Sequence, residues 1–74
     1  MAETLRKIIY LDKNFVLAHF LLGMLLRNQD KIIQSKKHLN TALRLLNNMQ
    51  FDKILEAADG LTAGRLQSII NSML

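Results

Sequence analysis

Residues 15–46 read FVLAHFLLGMLLRNQDKIIQSKKHLNTALRLL, two apolar patterns divided by the polar run RNQDK at 27–31. In the first, ten of the twelve residues from Phe15 to Leu26 are apolar and surround a helical axis instead of forming one stripe. A helix of that kind needs cover on more than one side. In the second, Ile32, Leu39, Ala42, Leu43, Leu46 and Met49 recur at helical spacing, with Lys36, Lys37, Asn40, Arg44 and Asn47 between them. That is one-faced amphipathicity. The spacing predicts helices over 15–29 and 31–48, a pair folded back on itself, with Asp30 as N-cap of the second.

Outward from this pair the pattern continues. Leu5, Ile8 and Ile9 predict a helix over 2–12, with Arg6 and Lys7 on its other side and Thr4 as its one candidate cap. DKNF at 12–15 marks a turn and a new cap, because Asp and Asn bond readily to nearby backbone. NNMQ at 47–50 reads as a stop. Phe51, Ile54, Leu55 and Ala58 predict a short helix over 51–58, ended at Asp59-Gly60, with Gly60 in the left-handed position past its end. Thr62 then caps a last helix over 63–74, where Leu66, Ile69, Ile70 and Met73 form one face and Leu61 staples onto Leu66. The expectation is all-α with five helices and no strands.

Composition agrees. The 74 residues contain no Pro, no Cys and only 3 Gly, and half are hydrophobic. Without Cys there is no disulfide framework, thiolate nucleophile or Cys-based zinc site, which fits a reducing cytoplasm. A chain this short makes one domain at most and needs extra support for its core. Ten basic against six acidic residues leave a net charge of +4. The basic residues are spread along the chain and the few aromatics sit in apolar stretches. Nucleic-acid binders concentrate charge and add stacking aromatics, so solvated helix faces are the plainer reading. The longest apolar stretch, Phe15 to Leu26, falls short of the ~20 residues that cross a bilayer. The N-terminus lacks the order of a signal peptide.

Residues 8–46 resemble the tetratricopeptide repeat, a unit of about 34 residues made of two antiparallel helices. Leu22-Gly23 stands at the family's Leu-Gly pair, where a small residue lets the helices approach. His19 holds the usual Trp position and Leu26 the usual Tyr position. Ser35 replaces a small Ala, Leu39 the aromatic, and Ala42 keeps the second small position. IIYLDKNF at 8–15 is similar to the tail of a preceding repeat, with Lys13 at the proline position and Ile8 at the small-residue position. Together with ADGLTAGRLQSIINSML at 58–74, the stretch resembles the C-terminal tetratricopeptide segment of CheR-type chemoreceptor glutamate methyltransferases.

The resemblance implies a single domain over 1–74: residues 1–13 as the end of a preceding repeat, 14–48 as one unit, and 49–74 as capping helices. It implies a cytoplasmic, non-catalytic interaction module that positions or regulates its parent enzyme. The parent would use S-adenosylmethionine; this chain has no strand, glycine-rich loop and helix unit to hold that cofactor. The expected partner is a protein or peptide, such as a chemoreceptor or the parent's methyltransferase domain. The groove positions implied by the family are Leu17, Phe20, Met24, Arg27 and Asn28. The first three are apolar, so a partner helix suits them better than a carboxylate clamp. The same residues would otherwise pack on a preceding repeat. An uncovered helix 15–29 predicts homo-oligomerisation, because repeat units bury their cores by stacking. The alternative function is a small basic helical domain that binds nucleic acid or acts as a regulatory dimerisation unit.

Other chemistry-bearing residues have plain readings. His19 and His38 are 19 apart without ligand spacing, so no metal site is expected; His19 reads as a packed residue and His38 as a surface one. Asp52 and Glu56 read as a solvated helix face, and Ser35, Ser68 and Ser72 lie outside any nucleophile elbow. Lys36, Lys37 and Arg44 make at most a weak basic patch. DGLTAGRL at 59–66 lacks the phosphate-loop pattern, with Arg65-Leu66 where Lys-Ser/Thr is required. The free N–H groups at the start of the last helix, with Arg65 beside them, still leave anion binding open.

Overall fold

The computed structural model describes all residues 1–74. It is a small all-α domain of four helices without strands: α1 (Ala2–Leu11), α2 (Val16–Asn28), α3 (Ile32–Asn47) and α4 (Ala63–Met73). Each packs on its chain neighbour, α1 on α2, α2 on α3 and α3 on α4. No helix is long and apolar enough to cross a membrane.

The α2–α3 pair is held by small residues. A Cβ on Gly23 would lie 2.7 Å from Cδ2 and 2.8 Å from Cγ of Leu39, so only glycine admits that leucine. Beside it the buried Ser35 Oγ donates to the Gly23 carbonyl at 2.6 Å. From this contact the core runs through Val16, Leu39, Ala42 and Leu46 to Leu55, Ala63, Leu66 and Ile70. α1 contributes no buried residue. Its apolar Leu5, Ile8 and Ile9 are half-covered and the opposite side is open.

The turn at 27–31 differs from expectation. Asp30 is not the N-cap of α3; that position is Lys31, with no side-chain cap bond. Asp30 instead takes the left-handed conformation, φ 64°. Lys31 N–H donates to the Leu26 carbonyl at 2.9 Å and Asp30 N–H to the Arg27 carbonyl at 3.1 Å. This is the Schellman ending, with Asp in the position glycine usually fills. Aspartate tolerates that conformation better than most residues but still pays a steric penalty. Asp30→Gly should therefore raise stability by about 0.5–1 kcal/mol, the steric relief exceeding the entropy glycine adds to the unfolded chain. Thermal denaturation reads this directly, and an unchanged or lower midpoint would count against it.

At 12–15 the turn is present but the cap is not a polar residue. Asp12 Oδ1 accepts from the Asn14 N–H at 3.2 Å. The N-cap of α2 is Phe15, without a side-chain cap bond. Thr4 lies inside α1, which starts at Ala2 with Met1 as N-cap.

The largest departure is at 51–58, which is not a helix. The segment between α3 and α4 is a run of turns with one isolated antiparallel bridge, Ile54 to Thr62. Its backbone groups bond within the segment and to the first residues of α4 instead of along a helix of their own. The Phe51 carbonyl accepts from Gly64 N–H at 2.7 Å and the Lys53 carbonyl from Ala63 N–H at 2.8 Å, while Leu55 N–H donates to the Leu61 carbonyl at 2.8 Å. Of the expected stripe only Leu55 is buried; Phe51 and Ile54 are exposed. Three residues with positive φ within four positions, Ala57, Asp59 and Gly60, carry the chain back to α4. Gly60 does take the left-handed conformation, although no helix precedes it.

Candidate interaction site

Leu17, Phe20, Met24, Arg27 and Asn28 lie on one stripe of α2, as their spacing requires. Leu17, Phe20 and Met24 are half-buried and Arg27 and Asn28 exposed. Their surroundings differ along the helix. Phe20 packs on the α2–α4 core. Leu17 lines a cleft with Met49 and Leu55 of the long turn segment. Arg27 lines a cleft with Lys36 of α3, Met73 at the end of α4 and Leu74 just past it.

Asn28 belongs to a different feature, an open groove of about 390 Å³ between α1 and α2, formed with Met1, Thr4, Leu5, Leu21 and Leu25. Leu21 is 43% and Met1 92% exposed. The expected contact stripe runs through Phe20 and Met24, and the groove of Leu5, Leu21 and Leu25 lies beside it, meeting it at Asn28. A signal existed: α2 is apolar all round and α1 is one-faced, so some of α2 must lie beyond what α1 covers.

His19 and His38 meet across α2 and α3. His19 is buried, 6% exposed, and its Nε2 lies 2.8 Å from the Lys13 carbonyl, a contact that places a hydrogen on Nε2. Its Nδ1 lies 3.4 Å from Nδ1 of His38. The rings are 5.6 Å apart and tilted by 32°. His38 is thus half-buried against a second imidazole, not a surface residue. Burial, then the neighbouring His19, Arg6 and Lys37 charges, push it below the ordinary 6.5. No three His, Asp or Glu side chains gather anywhere in the fold, and two imidazoles flanked by cations fall short of a zinc set.

The N-terminus of α4 is closed to anions. Ala63 and Gly64 N–H groups donate to the Lys53 and Phe51 carbonyls. The Arg65 N–H donates to Thr62 Oγ1 at 3.3 Å, so Thr62 caps the helix as its position suggests. The anion binding that DGLTAGRL left open beside its plainer reading as a helix stop and cap finds no unpaired N–H groups here. Gly64 packs closely, though on the turn segment: a Cβ there would lie 3.0 Å from both Cβ and the carbonyl oxygen of Phe51. Leu61 packs against the core that contains Leu66.

Asp52 and Glu56 are exposed, and without a helix at 51–58 they share no face. Ser68 Oγ donates to the Gly64 carbonyl and Ser72 Oγ to the Ile69 carbonyl. Lys36, Lys37 and Arg44 are exposed on α3. Compared with protein-family models, curated proteins and solved structures, the chain shows no match.

Proposed function

We propose that the chain is a non-catalytic protein–protein interaction module, a tetratricopeptide-like helical segment of a CheR-type chemoreceptor glutamate methyltransferase. In this reading it works in the cytoplasm and positions or regulates the parent enzyme, whose cofactor is S-adenosylmethionine. One observation carries the proposal: the apolar groove of Leu5, Leu21 and Leu25 between an α1 with no buried residue and an α2 apolar on every side. A helix pair covered on one side only is what a stacked helical array presents at a unit boundary. The close α2–α3 approach at Gly23, Ser35 and Leu39 supports the same reading, since these are the small and large positions on which the resemblance rests. A partner helix seated on the stripe of Leu17, Phe20 and Met24, or in the adjoining groove, would bury the apolar surface left open.

The test is calorimetric titration of the chain with a chemoreceptor cytoplasmic segment and with a CheR-type catalytic domain, each at moderate salt. Saturable binding to either, weakened by Leu21→Asp, supports the proposal. Binding to neither, with affinity for duplex DNA that falls steeply as salt rises, would transfer the function to the basic-domain alternative, because phosphate contacts release counterions.

The open groove also predicts self-association. At high concentration the isolated chain should scatter light as a dimer or larger species, and Leu25→Asp should return it toward one chain. A monomer across the whole concentration range would rule this out.

A further inference from the structure

We propose that Asp59 is a site of spontaneous covalent modification, at which the Gly60 amide nitrogen attacks the Asp59 side-chain carboxyl and the residue is converted to isoaspartate. In the first step a bond forms between Gly60 N and Asp59 Cγ, closing a succinimide ring. A carboxyl oxygen and the amide proton leave as part of one water molecule. Water then adds to either ring carbonyl. Addition at Cγ restores aspartate. Addition at the Asp59 main-chain carbonyl carbon breaks its bond to Gly60 N, so the chain now runs through Cγ with one extra backbone carbon. One water is lost and one regained, and the mass is unchanged.

The reaction needs an amide nitrogen free to leave its peptide plane and room for the carboxyl to reach it. Hydrogen bonding withholds that nitrogen at most Asp and Asn residues of this chain. The N–H groups that follow Asn14, Asn28, Asp30, Asn47, Asn48 and Asp52 each donate to a backbone carbonyl. Those that follow Asn40 and Asn71 lie inside α3 and α4 and are bonded along them. Only Asp12 and Asp59 precede an N–H that donates to no acceptor. Asp12 is held in another way: its Oδ1 accepts from the Asn14 N–H at 3.2 Å, and Lys13 crowds the approach with a side chain. At Asp59 both obstacles are missing. Asp59 and Gly60 are exposed, and nothing lies within 4 Å of where a Cβ on Gly60 would stand. This is the one place in the sequence where Asp or Asn precedes Gly.

The product is expected to loosen the hold on α4. Leu55 N–H donates to the Leu61 carbonyl at 2.8 Å, Leu61 N–H to the Ala58 carbonyl at 3.1 Å, and Ala58 N–H to the Leu55 carbonyl at 3.3 Å. Asp59 lies inside this closed set of bonds, so a further backbone carbon there must stretch at least one of them. Leu55 is in the core cluster with Ala63 and Leu66 of α4, and Leu61 packs against it. The α2–α3 contact at Gly23 and Leu39 involves no residue of the turn.

The experiment is incubation of the full chain at pH 7.4 and 37 °C, folded and in concentrated urea, with isoaspartate and deamidation followed by peptide mapping in isotopically labelled water. Folding should slow asparagine deamidation about tenfold or more, because bonded amides react only through local opening. Isoaspartate at Asp59 should form within about threefold of its rate in urea. Asp59→Gly, which removes the carboxyl at a left-handed position that glycine accepts, should abolish the product. The isoaspartate chain, separated by chromatography, should show faster amide exchange at Leu55 and Ala63, while Leu39 holds. Slowing of Asp59 by folding as large as that of the asparagines would overturn the proposal. So would faster conversion at Asp12, or unchanged exchange at Leu55 in the modified chain.

Discussion

Truncation of Leu66 to alanine is expected to lower the unfolding free energy by about 2–5 kcal/mol, the range for a large aliphatic residue removed from a packed site. Leu66 is fully buried and lies in the cluster that ties α4 to Leu39 and Leu46 of α3 and to Leu55 of the turn segment. A domain of this length carries roughly 4–11 kcal/mol in total, so the loss is a large part of its stability. α4 reaches the remainder only through α3 and the turn segment, and the cavity falls where both meet. Chemical denaturation followed by circular dichroism gives the number. Ile69→Ala on the same helix serves as control: Ile69 is 38% exposed and its truncation should cost well under half as much. Equal losses at the two positions would mean that α4 does not dock through the Leu66 face.

Gly23→Ala is expected to destabilise the chain by about 1–2 kcal/mol, although alanine is the better helix former. Propensity alone favours Ala by about 1 kcal/mol in a helix interior. Against it, the new methyl would stand 2.7 Å from Cδ2 and 2.8 Å from Cγ of Leu39, with the Ser35 carbonyl oxygen 3.4 Å away. Leu39 is 2% exposed and cannot swing aside without disturbing Leu46 and Leu66 in the same cluster. Overpacking of this kind costs about 1–3 kcal/mol. It would also lengthen the 2.6 Å bond from Ser35 Oγ to the Gly23 carbonyl. Leu39→Ala should relieve the clash, so the double variant should be about 1 kcal/mol or more stable than the two single losses added together. A Gly23→Ala protein as stable as the wild type would mean that α2 and α3 are not in close contact at this point.

The positions that proved legible share a local cause. Thr62 caps α4 through an N–H only three residues away, and the periodic run at 32–47 buries Leu39, Ala42 and Leu46 of the positions its spacing selects, while Ile32 stays exposed. The illegible ones depend on distant partners. Residues 51–58 carry a helical apolar pattern, but their carbonyls bond to Ala63 and Gly64. His38 looks like a surface residue until α2 brings His19 to it, and Leu21 and Leu25 look like core until α1 covers only part of α2. Asp30 reads as a cap because aspartate caps helices, yet it closes the one before it.

Sequence alone therefore determined that this protein is all-α, where its four helices run to within a residue at each end, and that Gly23, Ser35 and Leu39 fall at a helix–helix contact if the pair folds back. Hydrophobic periodicity, local capping and the absence of proline act over a few residues and can be read in order along the chain. Only the tertiary structure decided that the segment between α3 and α4 is a run of turns bonded to the start of α4, that this start is closed to anions, that two imidazoles meet across α2 and α3, and that an apolar groove lies between α1 and α2. Each of these depends on which backbone and side-chain groups meet across 10 or more residues, and a hydrogen bond between two such groups outcompetes the local preference of either.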